Sequence, residues 1–229
     1  MRLVTFNIHH GTVASQGPVD PRRLADVCQA FDADILALQE VDQGTIRGGR
    51  ADLAGVVAAE CGMDHAFGAS HRIPGGRYGN AVLVRGTVRR ATTKGLPRVP
   101  FWRVFQERRT VLEAQVTVEG RPLSIAVTHL AVAEEINGAQ LDRLLVRSAQ
   151  QPEPRVIIGD LNRELVRVQP VAEAAGFHCV PHGPTQPAKR PRKTIDHVLL
   201  SPGFTVRSVE IRATEMSDHC ALIVDVDWP

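Results

Sequence analysis

Aromatic side chains are scarce, 4% of the 229 residues, with two tryptophans and a single tyrosine, Tyr78. That scarcity argues against an elaborate base-stacking platform and against a large membrane-docking insertion, both of which need aromatic surface. Cysteine is sparse too: Cys28, Cys61, Cys179 and Cys220 stand far apart, without a Cys-x-x-Cys pair and mostly within apolar segments. Buried reduced thiols fit that pattern better than a disulfide frame or a thiolate zinc site. No run approaches the roughly 20 apolar residues of a membrane span. Met1 leads straight into a strand-like segment with no leader pattern, so no transmembrane segment and a cytoplasmic location are expected. Excess charge is missing as well, a net +2 being too mild to prescribe a nucleic-acid partner, and nothing specifies an obligate protein partner.

A hydrophobic content of 43% with 23% charged residues is ordinary for a globular chain able to bury a sizeable core, and a single domain over 1–229 is expected. Asp20-Pro21 reads as a helix N-cap followed by proline at the first helical position, opening a helix to about residue 31; a second helix is predicted over 51–61. Strands are predicted over 80–85, 87–92, 110–118 and 123–128, the last two joined by a turn at 119–122. A helix over 139–149, a strand over 156–159 and a helix over 165–175 follow, and strands over 195–200, 205–211 and 221–226 close the chain. Helices outside packed sheets are the layering that such alternation implies.

Acidic and amide residues recur at the ends of short apolar runs. Thr5-Phe6-Asn7, Leu38-Gln39-Glu40, Gly159-Asp160-Leu161-Asn162 and Ser217-Asp218-His219 follow approaches over 2–6, 34–38, 155–158 and 212–216. Strand ends are where α/β enzymes place chemistry, so these groups are expected in one cleft. Glu40, Asp160, Asp218 and Asp196 would repel one another there, at a cost on the order of several kcal/mol, unless a cation sat among them. Carboxylate and amide oxygens suit Mg²⁺, with Mn²⁺ a substitute, and phosphate is the natural substrate group for such a centre.

The tripeptides Thr128-His129-Leu130, Tyr78-Gly79-Asn80 and Ile195-Asp196-His197 add to these, and all fall in one order along the chain. In that order they resemble the endonuclease/exonuclease/phosphatase superfamily, over nearly the whole chain from Asn7 to His219. The resemblance implies an α/β fold, a four-layered sandwich of two packed mixed sheets flanked by helices. It also implies in-line attack of an activated water on a phosphoester, without a covalent enzyme intermediate. By the same resemblance Glu40 holds the Mg²⁺ directly with Asn7 beside it, and Asp218 completes the acidic floor. Asp160 orients or deprotonates the water; Asn162, expected two residues on along an extended segment, donates to a phosphate oxygen. His219 faces the scissile phosphate, oriented by Asp196. His129 stabilises transition-state charge with Asn80 orienting it, and the Tyr78 hydroxyl is aimed at phosphate. His197 stands where an aromatic is common in the family, and 137–140 lacks an arginine often found there.

Two connections bear on substrate. Residues 95–107 mix arginines with Phe101, Trp102 and Phe105, a composition that fits base stacking, lipid contact or simple anchoring to the core. Residues 185–194 carry Lys189, Arg190, Arg192 and Lys193, either a grip for an anionic substrate or a solvated basic loop. The expectation is a phosphodiesterase, with DNA or RNA ahead of a phospholipid or small soluble diester; an inactive phosphate-binding module is the contrasting class. No role follows from sequence for His9 and His10.

Overall fold

Local signals set the helix starts. Asp20 caps α1 (Pro21–Gln29) by accepting the Arg23 backbone N–H at 3.0 Å, and Asp52 caps α2 (Leu53–Cys61) through Gly55 at 3.1 Å. The remaining α-helices among the described residues are α3 (Glu134–Ala149) and α4 (Leu165–Ala174), and a short 3-10 turn spans His9–Gly11. The computed structural model describes residues 1–13, 17–98 and 107–229, so Trp102 and the centre of the aromatic connection lie outside the described residues.

Strands alternate with these helices: β1 (Arg2–Asn7), β2 (Ile35–Gln43), β3 (Asp64–Ile73), β4 (Gly76–Val84), β5 (Gly86–Gly95) and β6 (Thr110–Val118) come first. Then follow β7 (Arg121–His129), β8 (Arg155–Asp160), β9 (His178–Cys179), β10 (Asp196–Leu200), β11 (Thr205–Arg212) and β12 (Ala221–Asp227). They form two six-stranded mixed sheets, ordered β11-β12-β1-β2-β4-β3 and β5-β6-β7-β8-β10-β9. The parallel pairs are β1–β2 and β7–β8, one in the interior of each sheet.

Period-two alternation builds the layers. Leu3, Ile35, Ala37 and Val82 face Ile125, Val127, Val156 and Ile158 across the sheet-to-sheet core. On the opposite side of the first sheet Val4, Phe6, Leu36 and Leu38 pack with α1 and α2 through Leu24, Cys28 and Val57. Outside the second sheet Ala126 and Ile157 pack with Leu141 and Leu144 of α3 and Val168 of α4. The result is the four-layered α/β sandwich expected.

Several boundaries differ from the sequence reading. β3, an edge strand with a half-exposed pattern, was not anticipated because its apolar content is low. β4 begins at Gly76, so Tyr78 and Asn80 lie within a strand. α3 begins at Glu134 instead of 139, with two glutamates in its first turn where they suit the helix dipole. The approach predicted over 212–216 is not a strand: β11 ends at Arg212, and Asp218 and His219 sit in the loop before β12.

Candidate active site

The two interior parallel pairs end at the same edge of the sandwich. Asn7 pairs with Gln39, and His129 with Asp160. Asn7 spans the sheets: its amide Nδ2 donates to Glu40 Oε1 and to Asp160 Oδ2, each at 3.1 Å, while its Oδ1 accepts the His9 N–H. Strict alternation would turn Glu40 toward the helices with Leu36 and Leu38. A bulge between Leu38 and Val41, with Glu40 at φ 58°, re-aims the carboxylate to Asn7 instead.

Asp160 is held equally firmly. Gly159, at φ 148°, lies so close to β7 that a Cβ would stand 2.0 Å from the Thr128 carbonyl oxygen. Asp160 Oδ1 accepts the Asn162 N–H at 2.9 Å in an Asx turn, with Asn162 in the left-handed region at φ 48°. Asn162 therefore does not continue an extended segment, as its spacing had suggested; its amide donates to the Leu130 carbonyl at 3.0 Å. Asp160 is 1% exposed, and burial, reinforced by the charge of Asp196, raises its pKa to about 7.

His219 reaches the same pocket from the loop before β12. Its Nδ1 lies 2.9 Å from Asp196 Oδ2, which also accepts the Thr185 hydroxyl at 2.6 Å, and its Nε2 is 3.8 Å from Asp160 Oδ2. Burial disfavours charge on His219, but Asp196, with Asp160 and Asp218 behind it, outweighs this and pushes its pKa up to about 10. The imidazole is thus a cation at neutral pH. Ser217 anchors this loop by donating to the Asn7 carbonyl at 2.5 Å and accepting the His219 N–H at 3.0 Å.

His129 Nε2 is 3.4 Å from Asp160 Oδ2. Burial, followed by Arg109 and His219, holds this imidazole well below its usual pKa, hence neutral. Its Nδ1 is buried without a hydrogen-bond partner among the described residues, 4.0 Å from Glu40 Oε1. Asn80 does not orient it: the Asn80 amide donates to the Thr110 carbonyl at 3.2 Å, alongside the Thr128 hydroxyl at 3.0 Å. Tyr78 is buried between His10 and His71, with the Arg47 guanidinium 5.5 Å from its ring centroid.

The two histidines with no sequence-derived role line the mouth, both in left-handed backbone. His9 Nδ1 lies 3.2 Å from Asp218 Oδ1, and this contact, aided by the His219 charge, draws the Asp218 carboxyl down to about 2. His10 Nε2 lies 3.2 Å from Glu40 Oε2, while Arg47 stands 2.9 Å from His10 Nδ1. Arginine only donates, so Nδ1 of His10 is the acceptor and Nε2 carries the proton toward Glu40. Arg47 is itself fixed by a bidentate pair with buried Asp42 at 2.7 and 2.9 Å.

Gln186, overlooked in the sequence, brings its side-chain amide to 3.1 Å from His219 Nε2 and 3.4 Å from Asp218 Oδ2, and an imidazolium at His219 requires the amide oxygen as its acceptor there. No local motif marks Gln186 or Thr185; they arrive because the Ala188 N–H bonds the Asp218 carbonyl at 2.7 Å and the Cys220 N–H bonds Thr185 at 2.8 Å. Between these two zipped loops lies a cleft of about 710 Å³ lined by Ser217 and Asp218, by Lys189, Arg190 and Arg192, and by Glu215. Lys193 is exposed and outside that lining; its backbone pairs with Gln186 to close the loop.

Asp160, Asp196 and His219 bring donor atoms within 4.8 Å of one another, close enough to hold a metal ion. Asp196 is already engaged by Thr185 and His219, however, whereas Glu40 is 17% exposed at the cleft and faces the partnerless His129 nitrogen. Hard oxygen donors with spare lone pairs therefore lie on the Glu40 side, which fits a divalent cation.

Clustered carboxylates, an acid-held imidazolium and oxygen donors at a sandwich edge define a phosphoester hydrolase. The chain belongs to the endonuclease/exonuclease/phosphatase family, whose model matches residues 4–219. No curated protein matches it in sequence. Among solved structures it is similar to an endonuclease/exonuclease/phosphatase from Beutenbergia cavernae, at 24% identity and TM-score 0.80, covering 100% of this chain and 71% of that one. It is also similar to the human nocturnin catalytic domain with bound sulfate, at 20% identity and TM-score 0.75, covering 100% and 93%. A Bacteroides thetaiotaomicron mannosyl-6-phosphatase aligns at 14% identity and TM-score 0.72 over 100% of both chains. Enzymes of the family are generally dependent on a divalent metal. Among the described residues no helix is long and apolar enough to cross a membrane.

Proposed function

We propose that the chain is a Mg²⁺-dependent phosphodiesterase acting on nucleic acid. The observation that carries the choice of a polymeric diester is the cleft that Asp218 lines together with Arg190 and Arg192, which would offer cations to phosphates flanking the one being cleaved. Glu40, Asn7 and Asp218 would hold the cation, with the Asn7 amide turned to present its oxygen. When bound, it supplies Lewis-acid stabilisation of the phosphoryl oxygens.

The chain's own groups divide the remaining work. Asp160, with a pKa raised to about 7 by burial, accepts the proton of the attacking water. His219, held as an imidazolium by Asp196, donates from Nε2 to a phosphoryl oxygen. Neutral His129 and the second amide hydrogen of Asn162 complete the set of donors facing the phosphate. Tyr78, packed beside His10 at the mouth, would meet a neighbouring phosphate. Gln186 yields its place against His219 Nε2 when substrate enters.

The test is hydrolysis of single-stranded DNA, duplex DNA, RNA, a phospholipid diester and a small chromogenic diester, with Mg²⁺, Mn²⁺ or chelator. Metal-dependent polymer cleavage that Asp160→Ala abolishes is the expected result. Activity confined to the lipid or small diester contradicts the nucleic-acid assignment, and inactivity on all of them contradicts the catalytic one.

A further inference from the structure

A second hollow, with an apolar floor and charged walls, lies on the outward face of the β5–β8 sheet, away from the catalytic edge. Strand alternation decides its lining. Beyond the irregularity at Val88/Arg90, residues Arg90, Thr92 and Lys94 of β5 stand opposite Gln115, Glu113 and Val111 of β6. Leu112, Ala114 and Val116 occupy the intervening positions and fill the sheet-to-sheet core, so the polar set faces outward. α3 covers only part of this face, through Leu141, Leu144 and Leu145. The step between helix and uncovered strands is a hollow of about 260 Å³.

Four cations line it: Arg90 and Lys94 from β5, Arg147 from α3, and Arg155 from β8, whose guanidinium pairs with Glu153 and donates to the Ala149 carbonyl at 2.9 Å. Glu113 is the one carboxylate among the described lining residues, and Arg147 holds both its oxygens at 2.7 Å. Ser148, 3% exposed, also lines the hollow, and its hydroxyl has no hydrogen-bond partner among the described residues, not even the carbonyl four residues back. The Nε of Arg155 is likewise buried without an acceptor. Buried donors are rarely left unmatched, and two of them beside an excess of positive charge mark where a ligand's anionic oxygens would sit. No aromatic residue is among the described lining residues, so nothing there would stack a base.

We propose that this hollow binds a compact, multiply charged phosphate, inorganic or carried on a small polyol, at a site separate from catalysis. Ser124 and Arg155 pair at the start of β7–β8, five positions before His129 and Asp160. At ~3.3 Å per residue that is ~16 Å, on the other face of the sheet. The proposal does not depend on which diester the catalytic cleft cleaves.

Calorimetric titration of the metal-free protein, in chelator, with pyrophosphate and in parallel with glycerol 3-phosphate tests it and separates the two sources. One anion should bind, with affinity unchanged in Asp160→Ala, lowered at least ten-fold in Arg90→Glu/Lys94→Glu and lowered several-fold in Ser148→Ala. The double variant should keep the wild-type rate on a small diester; if it fails to fold, Arg90→Gln/Lys94→Gln gives the same reading. Undiminished binding in the charge variants, loss of binding in Asp160→Ala, or no binding of either anion overturns the proposal and leaves these cations as guards of an edge strand.

Discussion

His197 should make the fold acid-sensitive by a calculable amount. It is buried on β10, donates from Nε2 to the Arg163 carbonyl at 2.7 Å, and has its Nδ1 3.2 Å from His182 Nε2. Burial, with the neighbouring His182, lowers its pKa from 6.5 to about 4. Below pH 6.5 the unfolded chain binds a proton that the folded chain refuses until about pH 4, so stability falls across that window and levels off below it. The gap of 6.5 to about 4, at ~1.36 kcal/mol per pH unit, amounts to ~3 kcal/mol. Carboxylates such as Asp218, whose pKa is drawn down to about 2, also lose stability in acid. The diagnostic quantity is therefore the difference between wild type and His197→Gln, which keeps a donor and an acceptor but cannot titrate. Urea unfolding at intervals from pH 7.5 to pH 4 should show the wild type losing ~3 kcal/mol more than the variant. Parallel curves would refute the assignment of a neutral buried imidazole.

The catalytic edge invites further substitutions. Gly159→Ala forces a Cβ to 2.0 Å from the Thr128 carbonyl and should destabilise by ~3 kcal/mol or more, read as a lowered midpoint of thermal unfolding; a near-unchanged midpoint contradicts the close approach of β7 and β8. Asp196→Asn should lower kcat by ~10²–10⁴ with KM little changed, because His219 loses its charge partner while the cleft keeps its shape. Thr185→Val, which removes only the hydroxyl on Asp196, should cost about ten-fold or less in the same assay. Arg190→Glu/Arg192→Glu should raise KM for an oligonucleotide and flatten its salt dependence while sparing a small chromogenic diester; equal losses on both substrates would contradict a flanking-phosphate role.

Much of this was legible in the sequence because it rests on local rules. Asp20-Pro21 announces a helix start wherever it occurs, and the alternating apolar residues of β1, β7 and β8 announce strands that deliver Asn7, His129 and Asp160 to one edge. What escaped depends on distance in the chain. Asn80 was assigned to His129 by motif, but only the register of β4 and the approach of β6 reveal that its amide meets the Thr110 carbonyl. The Glu40 bulge cannot be seen in Leu38-Gln39-Glu40, since it is a mismatch with β4, where Leu38 pairs with Ala81 and Val41 with Gly79. His9 and His10 acquire partners only because left-handed backbone turns each toward a different carboxylate. Gln186 and Thr185 are placed by two loops zipped together, a pairing that carries no periodic signal.

The central claim is that Glu40 and Asp160 do different jobs in one centre, the first holding the cation and the second accepting the water proton. The most direct test is a Mg²⁺ titration of diester hydrolysis by wild type, Glu40→Gln and Asp160→Ala, with folding checked by circular dichroism. Glu40→Gln should need at least ten-fold more Mg²⁺ for half-maximal activity, and Asp160→Ala should stay folded yet show no turnover at any concentration. Near-normal turnover by folded Asp160→Ala, or a wild-type Mg²⁺ requirement in Glu40→Gln, would contradict that division of roles.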